Sequence, residues 1–563
     1  MSLKEVIRKY ALQNAIKFDG KPNVGAVIGK VLSENSDLKS KTKELAKQIQ
    51  EEIQKIVKLS VQEMKKELKK LAPELLENKK IVKPRELPDL KNATPGKVVI
   101  RFEPSPSGPM HIGHAYVMSL NAEYVRKYKG KLILRIADTN PENIYKPAYE
   151  LLVEDAQWLT NKLVGETLIQ SERLEIYYSY MERLLGLDKA YICTCDTEKF
   201  RELIGKKKAC PCRDAKDHMG RWKKMFDGFE QGEAVARVKT DINDKNPAMR
   251  DFPVFRICES KHPKQGTKYR VWPLMNMAVA CDDIENNVTH VIRAKDHADN
   301  AKRQEFIYDY LGKKAPEAMF VGRINFEGMP VSASKTRIAI DEKKFTGWDD
   351  IRLPFLQALS KRGYVPEAFI HYAIDVGMSL NDKSVKKDEF FKTLNAFNKE
   401  MIDPIAYRYF FVWNPVKITI KNAPKQNIEL DLHPEQKKKG RNIETKQDFF
   451  ITQDDFDIIE EGKIYRLMDC LNFEKKKNEF VFHSTDYKIF KESDGRIMHY
   501  LPAEETLKVE VLMDDNTIKS GVGELSLKSV KKGQVVQLER FGFCRLELKD
   551  KKKNELLFWY GHK

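Results

Sequence analysis

One stretch constrains this chain more than any other: Val98-Val-Ile-Arg-Phe-Glu-Pro-Ser-Pro-Ser-Gly-Pro-Met-His-Ile-Gly-His114, with the residues that follow to about Lys129. Val98 to Phe102 is short, apolar and partly β-branched, as a buried strand requires. Pro104, Pro106, Gly108 and Pro109 end it and impose a turn. From His111 onward Ile112, Ala115, Tyr116, Leu120 and Val125 recur at helical spacing until Gly130 stops the run. His111 and His114 lie three residues apart and so share one face of the first helical turn. A helix N-terminus presents free N–H groups and partial positive charge, which suits phosphate. Two imidazoles beside it add donors where negative charge builds.

The chain has 563 residues, enough for several domains, and 41% of them are hydrophobic. No apolar run approaches the roughly 20 residues that cross a bilayer, and the first residues lack the apolar core of a secretion signal. A soluble, cytoplasmic protein is expected. Lys and Arg number 100 against 83 Asp and Glu, a net charge of +17 that favours a polyanionic partner such as nucleic acid.

Residues 1–95 read as a helical extension. From Lys41 to Leu76 apolar residues step by three and four, as in an amphipathic helix or helical hairpin. Pro84, Pro88 and Pro95 mark a linker. Residues 96–189 and 269–337 read as two halves of one α/β domain. Lys131 to Ala137 is a strand with Asp138 at its carboxyl end, where open α/β sheets bind ligands. Tyr149 to Leu163, Ser171 to Leu185 and Ala298 to Leu311 are expected helices. Val288 to Ile292 and Phe320 to Phe326 are expected strands, with Arg293 ending the first. The order strand–helix–strand predicts a parallel sheet. Gly328 to Arg337, containing Ser334 and Lys335, reads as a mobile basic loop able to clamp a triphosphate.

Residues 190–268 differ in character. Cys193-Thr-Cys195 and Cys210-Pro-Cys212 form two thiolate pairs that could close a structural zinc site. Around them lie Lys206, Lys207, Lys208, Arg213, Lys216, Arg221, Lys223 and Lys224, with Trp222 and Phe226 interleaved, a mixture suited to RNA. Residues 338–402 read as a helical connector. Residues 403–563 read as short strands between turns, predicting one or two β-barrels. The Lys-rich loop Gln436 to Arg441 could meet phosphates, though a solvated loop fits equally well.

These motifs together carry a resemblance. His111-Ile-Gly-His114 resembles the HIGH signature, and Ser332-Ala-Ser-Lys-Thr336 the KMSKS loop, of class I aminoacyl-tRNA synthetases. Arg101 to Gly108, Arg135 to Asn140, Val288 to His297 and Gln537 to Phe543 resemble the glutamyl/glutaminyl subclass. Tyr10 to Lys17 and Gly25 to Leu32 resemble the N-terminal extension of its archaeal glutamyl type. The resemblance spans essentially the whole chain.

It implies a class I Rossmann-type catalytic domain carrying an inserted tRNA acceptor-binding domain, and a C-terminal β-barrel region that binds the anticodon. It implies ATP- and Mg²⁺-dependent formation of glutamyl-adenylate from L-glutamate, then transfer to tRNA(Glu), with tRNA(Gln) as a further acceptor in some members. By position, His111, His114 and Lys335 would be catalytic. Ser105, Gly113, His111, His114, Ser334 and Lys335 would bind ATP. Arg101, Asp138, Trp272, Asn276 and Arg293 would bind glutamate. Arg408, Arg466 and Arg540 would meet tRNA, and a monomer is expected. The Arg293 guanidinium fits a side-chain carboxylate and would mismatch an amide. This chain departs from the pattern at Ser332, where the motif has lysine, and at Ala137, where relatives carry an acidic residue. Trp272 and Asn276 stand where glutaminyl enzymes show Tyr and Asp. The alternatives are a glutaminyl enzyme, a silent tRNA-binding protein on the same scaffold, and a nucleotidyltransferase acting on a small molecule.

Overall fold

The structure is a computed structural model. It describes residues 2–17, 20, 22–34, 42–72, 75, 86–436, 438–550 and 552–563; Lys41, Leu76, Pro84 and, in the Gln436–Arg441 loop, Lys437 lie outside them. The chain divides into two compact units, residues 1–85 and 86–563.

Among the described residues the first unit holds four α-helices: α1 (Leu3–Lys17), α2 (Val24–Glu34), α3 (Thr42–Ile56) and α4 (Val61–Leu71). Their apolar stripes close over Ala11, Leu12, Val31, Ile49 and Leu68. The hairpin between α3 and α4 is set by Ser60, whose hydroxyl accepts from the Glu63 N–H while the Glu63 carboxylate accepts from Ser60. The unit ends before residue 95 because Leu90 is buried in the core of the second unit, its N–H donating to the Tyr128 hydroxyl at 3.0 Å.

In the second unit β1 (Val99–Phe102), α5 (Ile112–Tyr128), β2 (Lys131–Ile136), α6 (Ala148–Leu159), β3 (Val164–Ile169) and α7 (Leu174–Gly186) build half of a sheet. An insertion follows: β4 (Ala190–Cys193), α8 (Thr197–Gly205), α9 (His218–Asp227), β5 (Val235–Val238), β6 (Pro253–Ile257) and β7 (Val271–Pro273). The sheet resumes with α10 (Met275–Glu285), β8 (His290–Ala294), α11 (Ala298–Tyr310) and β9 (Glu317–Val321). The five strands run parallel in the order β3-β2-β1-β8-β9. The chain reverses its direction of winding between β1 and β8, the switch point where such sheets open a crevice at their carboxyl ends. Ile100, Leu132 and Leu134 are buried within the sheet, and Ile112, Met118 and Leu120 on α5 cover it.

Three sequence expectations need correction here. Strand β3 escaped notice because Gly165, Glu166 and Thr167 interrupt its apolar pattern, which an edge strand tolerates. The single strand expected over Phe320 to Phe326 is two, broken at Gly322 and Arg323. β9 joins the main sheet, and β10 (Ile324–Glu327) pairs with a later strand. The insertion runs past residue 268: β7 pairs antiparallel with β6, so the four-stranded sheet β4-β5-β6-β7 includes Trp272.

The mobile loop expected at Gly328 to Arg337 is half helix. α12 (Ala333–Asp341) begins at Ala333, so Ser334 and Lys335 sit in its first turn. Ala, Lys and Arg there are strong helix formers. α13 (Leu356–Lys361), α14 (Pro366–Val376), β11 (Lys383–Lys386) and α15 (Lys387–Ile402) make the connector, and β11 is the partner of β10. Beyond it lie two seven-stranded sheets. In each, the two edge strands are consecutive pieces of chain: Tyr407–Tyr409 with Phe411–Trp413, and Ile497–Met498 with Leu501–Pro502. Each sheet thus curls nearly into a barrel, leaving little open edge.

Candidate active site

At the switch point a cavity of about 380 Å³ opens between the carboxyl ends of β1 and β8 and the first turn of α5. Its wall includes Arg101, Glu103, Ser105, Gly113, His114 and Arg293, so five of the residues expected from sequence meet there.

The histidine pair owes its geometry to the start of α5. His111 is the N-cap, with extended backbone at φ −113°. Its Nδ1 accepts from the Gly113 N–H at 3.0 Å, and Nδ1 of His114 accepts from the His111 N–H at 3.4 Å. The rings stack 4.0 Å apart. A Cβ on Gly113 would lie 2.9 Å from His111 Cε1, so glycine is what lets the ring lie back over the turn. Burial pushes the His114 pKa down to about 4, and burial with the neighbouring imidazole lowers that of His111. Both rings are therefore neutral near pH 7. With each Nδ1 accepting, the proton resides on Nε2, leaving two neutral N–H donors for phosphate oxygens.

The preceding turn is fixed from beneath. The Met110 N–H donates to Asp155 Oδ2 at 2.8 Å, and Gln357 Nε2 donates to Asp155 Oδ1 at 2.7 Å. The Ile112 N–H and the Met110 carbonyl pair with Pro354 and Leu356 at 3.1 and 2.9 Å. A Cβ on Gly108 would stand 2.9 Å from the Ala333 Cβ and 3.0 Å from Trp348 Cη2. Gly108 thus brings the turn into contact with the beginning of α12. Lys335 is exposed there and has no ion-pair partner among the described residues. Neither Ser334 nor Lys335 lines the cavity itself.

The two arginines of the cavity differ. Arg101, on β1, donates through Nε and Nη2 to Asp283 at 3.0 and 3.3 Å, and pairs with Glu103 at 3.2 Å. Arg135 on β2 joins the same group, reaching Asp283 at 2.8 Å and Glu103 at 2.9 Å. The two guanidinium groups hold the Asp283 carboxyl below the usual carboxylate range despite its burial. Arg293, on β8, has instead an amide for a partner: Nη2 donates to Gln304 Oε1 at 3.0 Å, while Nε is buried without a partner. Burial and the neighbouring Arg101 push its pKa down to about 10, still fully charged at neutral pH.

The remaining glutamate-site candidates do not reach the cavity. Asp138 is completely buried, its carboxylate accepting from the Tyr149 hydroxyl at 2.6 Å, the Ser171 N–H at 2.7 Å and the Ser171 hydroxyl at 2.6 Å. Its acceptors are taken up in joining the ends of β2 and β3. Trp272 is buried in the insertion, stacked 4.9 Å from His262. Asn276 stands behind the wall: its Oδ1 accepts from Gln304 Nε2 at 3.2 Å. Gln304 was missed in the sequence because a helical glutamine carries no mark of function; its place one turn before Tyr308, which binds Asp283 at 3.1 Å, emerges only with α11 in position.

Elsewhere the four cysteines of the insertion converge. Sulfur–sulfur distances of 3.5 Å (Cys193–Cys210), 3.3 Å (Cys195–Cys210) and 3.7 Å (Cys195–Cys212) lie within a cluster no wider than 4.8 Å. Tetrahedral zinc with bonds of about 2.3 Å places its sulfurs roughly 3.8 Å apart, so the donor set fits that ion. Around it, Arg213 binds the buried Asp251 at 2.8 Å and Trp222 is buried, so neither is free for RNA. In the β region, Arg408 pairs with Asp403 at 3.3 Å, Arg466 donates to Asn472 at 2.8 Å, and Arg540 grips Asp455 through two bonds of 2.7 and 2.9 Å.

Comparison with known proteins accounts for this layout. Residues 97–404 match the family model of the catalytic domain of class I tRNA synthetases (E and Q). Residues 406–488 and 497–547 match two models of the anti-codon binding domain of the same enzymes. Glutamate–tRNA ligase of Methanobrevibacter smithii is 41% identical over 567 residues, covering all of both chains. Those of Methanocaldococcus jannaschii and Pyrococcus abyssi are each 41% identical, over 97% of this chain and 98% of theirs and over the full length of both. A solved glutamate tRNA ligase from Elizabethkingia meningosepticum overlaps at a TM-score of 0.39 and 19% identity, over 55% of this chain and 70% of that one, a likeness too slight to argue from. On the sequence matches alone, the chain belongs to the class I tRNA synthetases of the glutamate and glutamine type, alongside the archaeal glutamate–tRNA ligases.

Proposed function

We infer that this protein is a glutamate–tRNA ligase: it activates L-glutamate with ATP and Mg²⁺ and transfers the glutamyl group to tRNA(Glu). The observation that carries the choice of amino acid is Arg293, a charged guanidinium in the cavity wall whose hydrogen-bond partner is a neutral amide. A side-chain carboxylate would satisfy it with charge-assisted bonds worth about 1.5–3 kcal/mol, whereas the amide of glutamine offers the guanidinium fork one neutral acceptor oxygen and turns its NH2 toward the other donor. His111 and His114 donate through Nε2 to the triphosphate, Ser105 and the Gly113 backbone line its path, and Ser334 and Lys335 approach from α12 to meet charge developing on the phosphates. Mg²⁺ would neutralise the phosphate oxygens when ATP binds.

The insertion receives the acceptor end, with zinc holding the Cys193, Cys195, Cys210 and Cys212 cluster; metal analysis of the purified chain should give one zinc per chain. The β region reads the anticodon, with Arg408 and the exposed Arg540 as candidate contacts and Arg466 available only if its buried bonds open. We assign the protein to the cytoplasm as a monomer, with tRNA(Gln) as a further acceptor. Among the described residues no helix is long and apolar enough to cross a membrane. The deciding experiment is ATP–pyrophosphate exchange with glutamate or glutamine, each with and without tRNA. Exchange with glutamate in the presence of tRNA is expected; exchange with glutamine instead would move the assignment to the glutaminyl enzyme.

A further inference from the structure

An amino acid brings an α-ammonium as well as carboxyl groups, and a buried ammonium needs a carboxylate. Of the residues lining the cavity, Glu103 is the one that is acidic. Its Oε2 is occupied by Arg135 at 2.9 Å and Arg101 at 3.2 Å, whereas its Oε1 is buried with no hydrogen-bond partner. Buried carboxylate oxygens are rarely left so. The carboxylate torsion is soft, so Glu103 can present an oxygen to a ligand without moving its backbone.

The neighbouring strand shows why this oxygen is needed. Ala137 follows directly on β2, lines the same cavity, and has only a methyl group to offer. Its N–H donates to the Pro104 carbonyl at 3.0 Å, which places residue 137 directly beside the segment carrying Glu103. Asp138, the next residue, is shut away among Tyr149 and Ser171. A carboxylate serving the cavity at this corner can come only from Glu103 among the described residues.

We propose that Glu103 receives the α-ammonium of the amino-acid substrate, from the β1 side of the cavity, in the place a side chain at residue 137 would otherwise fill. The proposal rests on the glutamate reading above and adds a contact on the opposite end of the substrate from Arg293. It also gives the Arg101–Asp283–Arg135 group a purpose: it fixes Glu103 through Oε2 while leaving Oε1 unspent.

The test compares glutamate with glutarate, the same diacid without the amino group, as competitors in tRNA-dependent exchange. The wild-type enzyme should prefer glutamate over glutarate at least tenfold. In Glu103→Gln that preference should fall to about one, with the KM for ATP nearly unchanged. A general loss of packing would weaken both ligands alike and leave their ratio intact, and that outcome would overturn the proposal. Because Glu103 also pairs with two arginines, a second variant guards against misfolding: the exchange Glu103→Ala with Ala137→Glu should recover most of the glutamate preference that Glu103→Ala alone loses. Failure of the double variant to recover any preference, in a folded protein, would count against Glu103 as the contact. If wild-type enzyme showed no exchange with glutamate at all, the underlying reading would fall instead, independently of Glu103.

Discussion

Arg293 of the cavity and the arginines of the β region look alike in the sequence and have opposite fates in the structure. In the β region Arg540 is held by both oxygens of Asp455, Arg466 by Asn472, and Arg441 by Glu524 at 2.8 Å. Each of these guanidinium groups has a hydrogen-bond partner within the protein, with Arg466 and Arg441 buried and Arg540 exposed. In the cavity Arg293 leans on an amide, and Lys335 nearby is exposed without an ion partner among the described residues. The difference teaches that residue type locates a charge, but its neighbours decide whether a ligand can use it.

The contrast can be broken most severely at Asp455, which is 2% exposed. Asp455→Asn strands Arg540 without its carboxylate. Because the Arg540 side chain is 38% exposed and can be hydrated once its partner is gone, the loss in urea unfolding should be about 1–2 kcal/mol, while the rate of adenylate formation stays within twofold. A large fall in that rate with stability intact would show that the β-region charge also serves chemistry. The opposite pattern is expected of Lys335→Ala: at least a tenfold slower ATP–pyrophosphate exchange, little change in tRNA affinity, and no measurable loss of stability. An unchanged exchange rate would remove Lys335 from the mechanism.

The smallest effect concerns the neutral histidines. A histidine whose folded pKa is depressed binds fewer protons than in the unfolded chain between the two values. For His114 that window runs from about 4 to the usual 6.5, so its contribution to stability is full above pH 6.5 and is lost as the pH falls toward 4. Between pH 7 and 5, wild-type protein should lose about 1 kcal/mol more than His114→Asn, after allowing for partial exposure. Equal slopes would show that the folded pKa of His114 stays near its ordinary value, and that burial does not hold the ring neutral through this window.

Much of this molecule was legible before any coordinates. The strand, turn and helix around His111 follow from proline, glycine and apolar spacing within a few residues, and the cysteine pairs announced their cluster. What was not legible depends on distant packing. α12 replaced an expected loop because hydroxyl-rich, basic residues can take either form until Gly108 and Trp348 are set against Ala333. Asp138 and Glu103 both end or follow strands of the same sheet, and both are acidic. Only the arrival of Tyr149 and Ser171 at one, and of Arg101 and Arg135 at the other, shows which retains a free oxygen. Gln304 belongs to the same class: its meaning lies across the sheet, not along the chain.

The near-barrel closure of the first β sheet carries a consequence for how the protein is made. Tyr407–Trp413 stands at both edges of that sheet, against Val535–Leu538 on one side and Ile518–Gly523 on the other. The Phe410 N–H finds its acceptor, Glu524, 114 residues further on. The connector waits even longer, since Asn398 bonds to His562 at 2.9 Å and Arg362 to the Gly561 carbonyl at 2.9 Å. During synthesis β1 of the parallel sheet must likewise wait for β8, from Ile100 to His290, so both this stretch and the catalytic sheet stay incompletely paired on the ribosome for many seconds, at roughly 5–20 residues per second. The need of the nascent chain for protection from aggregation therefore comes twice, once until β8 emerges and again until the last β strands emerge.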